Sequence, residues 1–161
     1  MSNVMFQISI PSDNDGYCLM QCPTCGEFFK ITSDDYEDDG VLDIYCPACG
    51  LVGENYVTED VIELAMAIAQ NYATDLIYNG FKKMEKKFKS GLMTFKAGNK
   101  PKPEPENPIR AGIEALAITY FTCCKRSSKI KPLLQITGCY CPFCGVKNYE
   151  IESSRTTESH V

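Results

Sequence analysis

Apolar and polar residues change rhythm several times along this chain, and each change marks an element. Residues 5–10 alternate, with Phe6, Ile8 and Ile10 on one side, which predicts a short strand. Residues 11–16 form a polar turn. Residues 17–20 and 28–31 are short apolar-rich runs on either side of a turn, and predict a hairpin. Residues 33–40 are acidic and loop-like, and residues 41–45 predict a further strand. From Thr58 the period changes. Val61, Ala65, Ile68 and Tyr72 form one stripe, and Ile62, Met66, Ala69 and Ala73 form a second beside it. The pattern predicts a helix over residues 58–90 whose first half is apolar over an arc wide enough to be buried. Thr58 suits the N-cap, and Glu59 and Asp60 sit where the macrodipole favours acids. Ile77, Phe81, Met84 and Phe88 carry the apolar face onward, and Gly80 is expected to kink or divide the helix. Pro101, Pro103, Pro105 and Pro108 then predict an extended linker. The organisation expected is a module over residues 1–57, a helical segment over 58–97, a linker over 98–108, a second module over 109–151 and a flexible tail over 152–161. The class is α+β.

Modules this small lack the apolar residues for a self-sufficient core. The cysteines supply what is missing. There are ten in 161 residues, against one histidine, His160, next to the end of the sequence. Residues 1–10 have neither the basic start nor the long apolar stretch of a signal peptide, and no run is long enough to span a membrane. The expected compartment is therefore the cytoplasm, where thiolates serve metals more often than disulfides. Spacing points the same way. Cys22-Pro23-Thr24-Cys25-Gly26 and Cys46-Pro47-Ala48-Cys49-Gly50 are separated by 20 residues, a zinc-ligand spacing. Two residues between cysteines let a tight turn aim both sulfurs at one ion. Pro presets φ after the first cysteine, and Gly can take the left-handed conformation after the second. Two facing turns would close a tetrahedral four-thiolate site with no open position, which is structural in type.

These CPxCG pairs resemble the zinc-ribbon superfamily, which includes the ribbons of general transcription factors and many small bacterial zinc-ribbon proteins. The resemblance covers residues 4–57 well and implies a small antiparallel sheet clamped by its ion. Rubredoxins share the turns but hold iron, usually with a longer gap and a core Trp, and this chain has no Trp.

The C-terminal third repeats the theme. Tyr45-Cys46-Pro47-Ala48-Cys49-Gly50 matches Tyr140-Cys141-Pro142-Phe143-Cys144-Gly145, and Lys30-Ile31 matches Lys129-Ile130. That alignment lays Cys124 over Cys25 and Phe121 over Cys22. Cys124, Cys141 and Cys144 are thus three ligands of an expected second zinc site. The fourth is Cys123, if the turn is contracted, or Cys139, which shares a strand face with Cys141. Cys139 aligns with Ile44, a core position, so Cys123 is preferred. Cys18 has no partner and reads as a strand residue. Two small antiparallel ribbons joined by a long helix and a Pro-rich linker result.

Charge is unevenly spread. Residues 1–57 hold 10 acids and 1 base, for −9, whereas residues 58–110 and 111–161 each carry +2. Between Lys82 and Lys102 eight lysines face only Glu85, and Lys125, Arg126, Lys129 and Lys131 form a smaller cluster. The expected function is a non-enzymatic zinc-binding adaptor for another protein, with Phe28, Phe29, Tyr36 and Tyr56 as candidate contact aromatics. The alternative is nucleic-acid binding, transcription-related, through Lys82, Lys83, Lys86, Lys87, Lys125 and Arg126. Self-association through the helix is a third expectation. Enzyme activity is not expected: there is no second His, no HExxH, no Gly-rich phosphate loop and no apolar carboxylate pair. No membrane partner is expected either.

Overall fold

A computed structural model describes residues 6–88, 95–110, 112–113 and 115–149. Four short runs form two hairpins, and residues 28–32 and 117–121 among them are rich in β-branched and aromatic side chains. Strand β1 (Tyr17–Gln21) pairs antiparallel with β2 (Phe28–Thr32), Gln21 opposite Phe28. Strand β3 (Ala117–Phe121) pairs with β4 (Arg126–Ile130), Phe121 opposite Arg126. The hairpins then join through β2 and β4, with Lys30 opposite Lys129, giving one four-stranded sheet of order β1-β2-β4-β3. Each hairpin runs into a short helix: α1 (Ser33–Glu37), capped by Thr32 Oγ1 on the Asp35 N–H, and its counterpart in the second half, which begins at Pro132 and is taken up below.

The join puts two repeat-equivalent lysines side by side. Like charges directly opposite one another destabilise a sheet. Asp13 resolves the conflict, because its Oδ2 accepts from Lys30 Nζ and from Lys129 Nζ, each at 2.8 Å. Asp15 takes a second bond from Lys129 at 2.5 Å, and the Lys129 ammonium lies 4.9 Å from the Tyr17 ring centroid. Both lysine side chains are nearly removed from water, so an unpaired charge here would be costly. Burial raises the Asp13 pKa, but the two ammonium groups and the Tyr17 and Asp15 N–H groups outweigh it and hold the carboxyl well below its usual range.

The opposite sheet face is apolar. Phe29, Ile31, Phe121 and Ile130 are fully buried there with Ile44, Tyr56 and Phe143. The Phe29 and Tyr56 rings meet edge to face at 5.5 Å, and the Tyr56 hydroxyl donates to the Ile44 carbonyl. Cys22, Cys46, Cys139 and Cys141 belong to the same core.

The longest helix, α2 (Glu59–Lys87), continues through Gly80 and is not divided there; Lys89 and Ser90 lie outside the described residues. The remaining elements are α3 (Pro132–Thr137), which follows the second hairpin, and the short pair β5 (Cys139–Tyr140) and β6 (Lys147–Asn148). The chain divides into two compact units. One is Ser9–Thr58 with Arg110–Val161, and holds the sheet; the other is Met1–Ile8 with Glu59–Ile109, and holds α2. In the second unit the Pro-rich stretch has no regular secondary structure and returns along α2. Phe95 meets Phe81, Lys100 pairs with Asp75 at 2.7 Å, and Glu104 and Glu106 bond Asn71.

Three expectations need correction. Residues 6–10 form no strand: Phe6 packs instead on Tyr72 of α2, with ring centroids 5.1 Å apart. Residues 41–45 form no strand, and only Tyr45 bridges Val52. The first half of α2 is not buried, since Val61 is the helix's one buried residue among those described. Its apolar arc is wider than the returning segment can cover. The expected tail over residues 152–161, with His160, lies outside the described residues.

Candidate metal centres

Each centre is assembled from two turns. In the first, the Gly26 N–H donates to the Cys22 carbonyl at 2.9 Å and the Cys22 N–H to the Glu27 carbonyl at 2.8 Å. This winds the chain so that the Cys25 and Thr24 N–H groups point at Cys22 Sγ and the Glu27 N–H at Cys25 Sγ. The second turn repeats the pattern: Gly50 N–H to Cys46 carbonyl at 2.8 Å, with the Ala48 and Cys49 N–H groups on Cys46 Sγ. The third does so again, Gly145 N–H to Cys141 carbonyl at 2.9 Å. In all three the closing glycine has φ between +70° and +74°. Side chains rarely adopt that region, so Gly fits the CPxCG spacing for a backbone reason.

The turns bring Cys22, Cys25, Cys46 and Cys49 together, and separately Cys123, Cys124, Cys141 and Cys144. Within each group the sulfurs lie within 4.8 Å of one another. Sulfur–sulfur separations include 3.5 Å for Cys25–Cys46, 3.8 Å for Cys22–Cys49 and 3.6 Å for Cys123–Cys144. A tetrahedral ion with sulfur ligands at about 2.3 Å holds its sulfurs about 3.8 Å apart, so both groups have the size of a four-thiolate site. Chemistry agrees with geometry. Cys22, Cys46 and Cys141 are buried, so ionising them together requires a cation beside them. Burial pushes the Cys22 thiol up, but the Cys25 and Thr24 N–H groups overcome that and bring it down to about 7. Burial raises Cys46 and Cys141 far above their ordinary value despite similar bonds. Residues of both groups therefore fit a metal ion.

The fourth turn departs from the pattern. Six residues separate Gln21 from Phe28 in the first hairpin, but only four separate Phe121 from Arg126. Lys125 stands where Gly26 stands in the repeat, with φ +55°, the one non-Gly residue of positive φ among those described. This tight turn carries Cys123 and Cys124 into one cluster. Cys139 is fully buried in the core, and burial raises its thiol to about 11. Cys18 lies on β1 opposite Ile31, outside both clusters.

The clusters are tied to each other as well as to the sheet. The Tyr45 N–H donates to the Pro142 carbonyl at 2.8 Å, and the Tyr140 N–H donates to the Pro47 carbonyl at 2.9 Å. Tyr45 matches Tyr140 and Pro47 matches Pro142 in the repeat, so the two bonds are images of one another. A Cβ on Gly50 would meet the Tyr140 ring at 2.8 Å, and one on Gly145 would meet the Tyr45 ring at 2.8 Å. With Lys30 opposite Lys129, these pairs define a pseudo-two-fold axis relating the halves. Sequence reasoning aligned the repeat but had no signal for this reciprocal contact.

The remaining candidates fall as follows. Arg126 pairs with Asp35 at 2.5 Å and Asp38 at 2.9 Å, and lies over the Phe143 ring. Lys131 pairs with Glu27 at 2.7 Å. With Lys129 already on Asp13 and Asp15, the basic cluster of the second half lies against acids of the first. Lys125 is exposed at its turn. On α2, Lys82 bonds Glu85 at 3.1 Å, while Lys83, Lys86 and Lys87 are exposed. Of the candidate contact aromatics, Phe29 and Tyr56 are core, Phe28 is half-buried and Tyr36 is exposed. Among the described residues no helix is long and apolar enough to cross a membrane. No family model matches the chain, no curated protein matches it, and no solved structure matches its fold.

Proposed function

We propose that this chain is a non-enzymatic, cytoplasmic adaptor of zinc-ribbon type, holding one structural Zn²⁺ in each cysteine cluster and offering its surface to another protein. The observation that carries the reading is the pair of four-sulfur clusters of tetrahedral size. Four thiolates fill the coordination of zinc and leave no position for substrate or water, so each ion fixes shape and performs no chemistry. Sulfur donors suit Zn²⁺ over harder cations. A cleft of about 310 Å³ in the first half supports the adaptor role. Tyr36, Leu42 and Val52 line it and are exposed, with Asp43 and Glu54 on its rim. Apolar walls beside Asp43 and Glu54 suit a peptide segment combining Lys or Arg with an aliphatic or aromatic side chain.

Selection from a displayed random-peptide library against the zinc-loaded chain tests this. Enrichment of basic-apolar sequences is expected, with binding lost in Leu42→Glu and after chelation. No enrichment, or binding that Leu42→Glu leaves intact, overturns the reading. Nucleic-acid binding is the weaker reading, because Arg126 is engaged with Asp35 and Asp38. A low-salt mobility shift that depends on Lys83, Lys86 and Lys87 would put it first.

A further inference from the structure

We propose that α2 joins two copies of this chain as an antiparallel dimer whose two-fold axis passes through Ala73. The inference stands apart from the metal centres and rests on the helix alone. Ile62, Met66, Ile77 and Met84 are 46, 67, 58 and 44% exposed, and Ala69, Ala73 and Gly80 between them are exposed too. At 3.6 residues per turn these seven positions fall within an arc of about 80°, a stripe running most of a helix about 44 Å long. The returning segment bonds Asn71 and Asp75 on the helix's other side, while Phe6 on Tyr72 and Phe95 on Phe81 pack at the two flanks of the stripe. A continuous apolar stripe of this length is what a helix presents to a second helix.

Charge names the partner, because the helix is acidic at its first turn and basic at its last. Counted from Ile62, the stripe steps by 4, 3, 4, 4, 3 and 4 residues, so its centre is Ala73. Antiparallel pairing about Ala73 therefore sets every stripe position opposite another stripe position. Ile62 faces Met84, Met66 faces Gly80, Ile77 faces Ala69, and Ala73 faces itself. Met66 and Ile77 meet small residues, Ile62 meets Met84 at the ends, and the small residues at the centre allow the backbones to approach closely. The acidic first turns of one copy, with Glu59 and Glu63, come beside the lysine-rich end of the other, with Lys83 and Lys87, and the macrodipoles oppose. Parallel pairing would bring the lysine-rich ends together. A self-complementary patch of this kind is the signature of an isologous two-fold interface.

Sedimentation equilibrium of the zinc-loaded full chain from about 1 to about 100 μM tests the proposal. A species of about 36 kDa, twice the 18.0 kDa of the chain, is expected. Ala73→Glu places two carboxylates together at the axis and is expected to return the mass to 18.0 kDa. Circular dichroism and metal content should not change, because Ala73 is exposed within one copy. Glu59→Lys with Glu63→Lys should weaken the dimer at low salt, and adding Lys83→Glu with Lys87→Glu should restore it. A monomer across the whole range overturns the proposal. So does a dimer that survives Ala73→Glu, or one that the second pair of charge reversals fails to restore.

Discussion

Gly26, Gly50 and Gly145 close equivalent CPxCG turns with nearly equal φ, and differ only in what surrounds them. Alanine at any of the three forces a Cβ into the left-handed region, at about 1–2 kcal/mol. At Gly26 that is the whole effect, because a Cβ there meets nothing within 4 Å. At Gly50 and Gly145 the Cβ would stand 2.8 Å from the Tyr140 or Tyr45 ring. The ring must move, and each of these tyrosines also donates its N–H to the facing turn. Overpacking of this kind adds about 1–3 kcal/mol. Gly50→Ala and Gly145→Ala should thus cost about 2–5 kcal/mol and Gly26→Ala about 1–2 kcal/mol. Urea unfolding at saturating zinc measures all three with the metal contribution held in common. Replacing the facing ring isolates the difference: Tyr140→Leu combined with Gly50→Ala should show a favourable coupling of about 1 kcal/mol or more, and with Gly26→Ala none. Equal costs at the three glycines, or no coupling at Tyr140, would refute the reciprocal packing of the two centres.

Metal content gives a second check: the native chain is expected to carry two Zn²⁺, Cys141→Ser and Cys123→Ser one each, and Cys139→Ala two, as read by elemental analysis of the purified proteins. Two ions in Cys123→Ser with one in Cys139→Ala would move the fourth ligand. Asp13→Asn removes the charge shared by Lys30 and Lys129 while keeping an acceptor for the Tyr17 and Asp15 N–H groups, and should cost about 1–3 kcal/mol at neutral pH. The Asp13 carboxyl is held low in the fold, so its contribution is present above the unfolded pKa, about 3.9, and fades as pH falls through and below that value. Urea midpoints of the two proteins should therefore converge in acid, and a gap that widens there would contradict the assignment.

The cysteine spacings, the glycines after them and the repeat could be read from sequence alone because each is a local requirement. A turn must aim two sulfurs at one point, and its last residue must take positive φ; both demands appear in consecutive letters. The length of α2 was legible for the same reason, through its 3.6-residue period. Tertiary structure decided everything that depends on residues far apart in the chain. Lys30 and Lys129 carry no mark of being neighbours, nor Asp13 of serving both. The charge imbalance between the halves looked like a surface for a partner, yet Arg126, Lys129 and Lys131 meet Asp35, Asp38, Asp13, Asp15 and Glu27 of the same chain. Composition records how many charges a segment holds, whereas pairing depends on which strands lie side by side, and a single β2–β4 register settled that for every one of them.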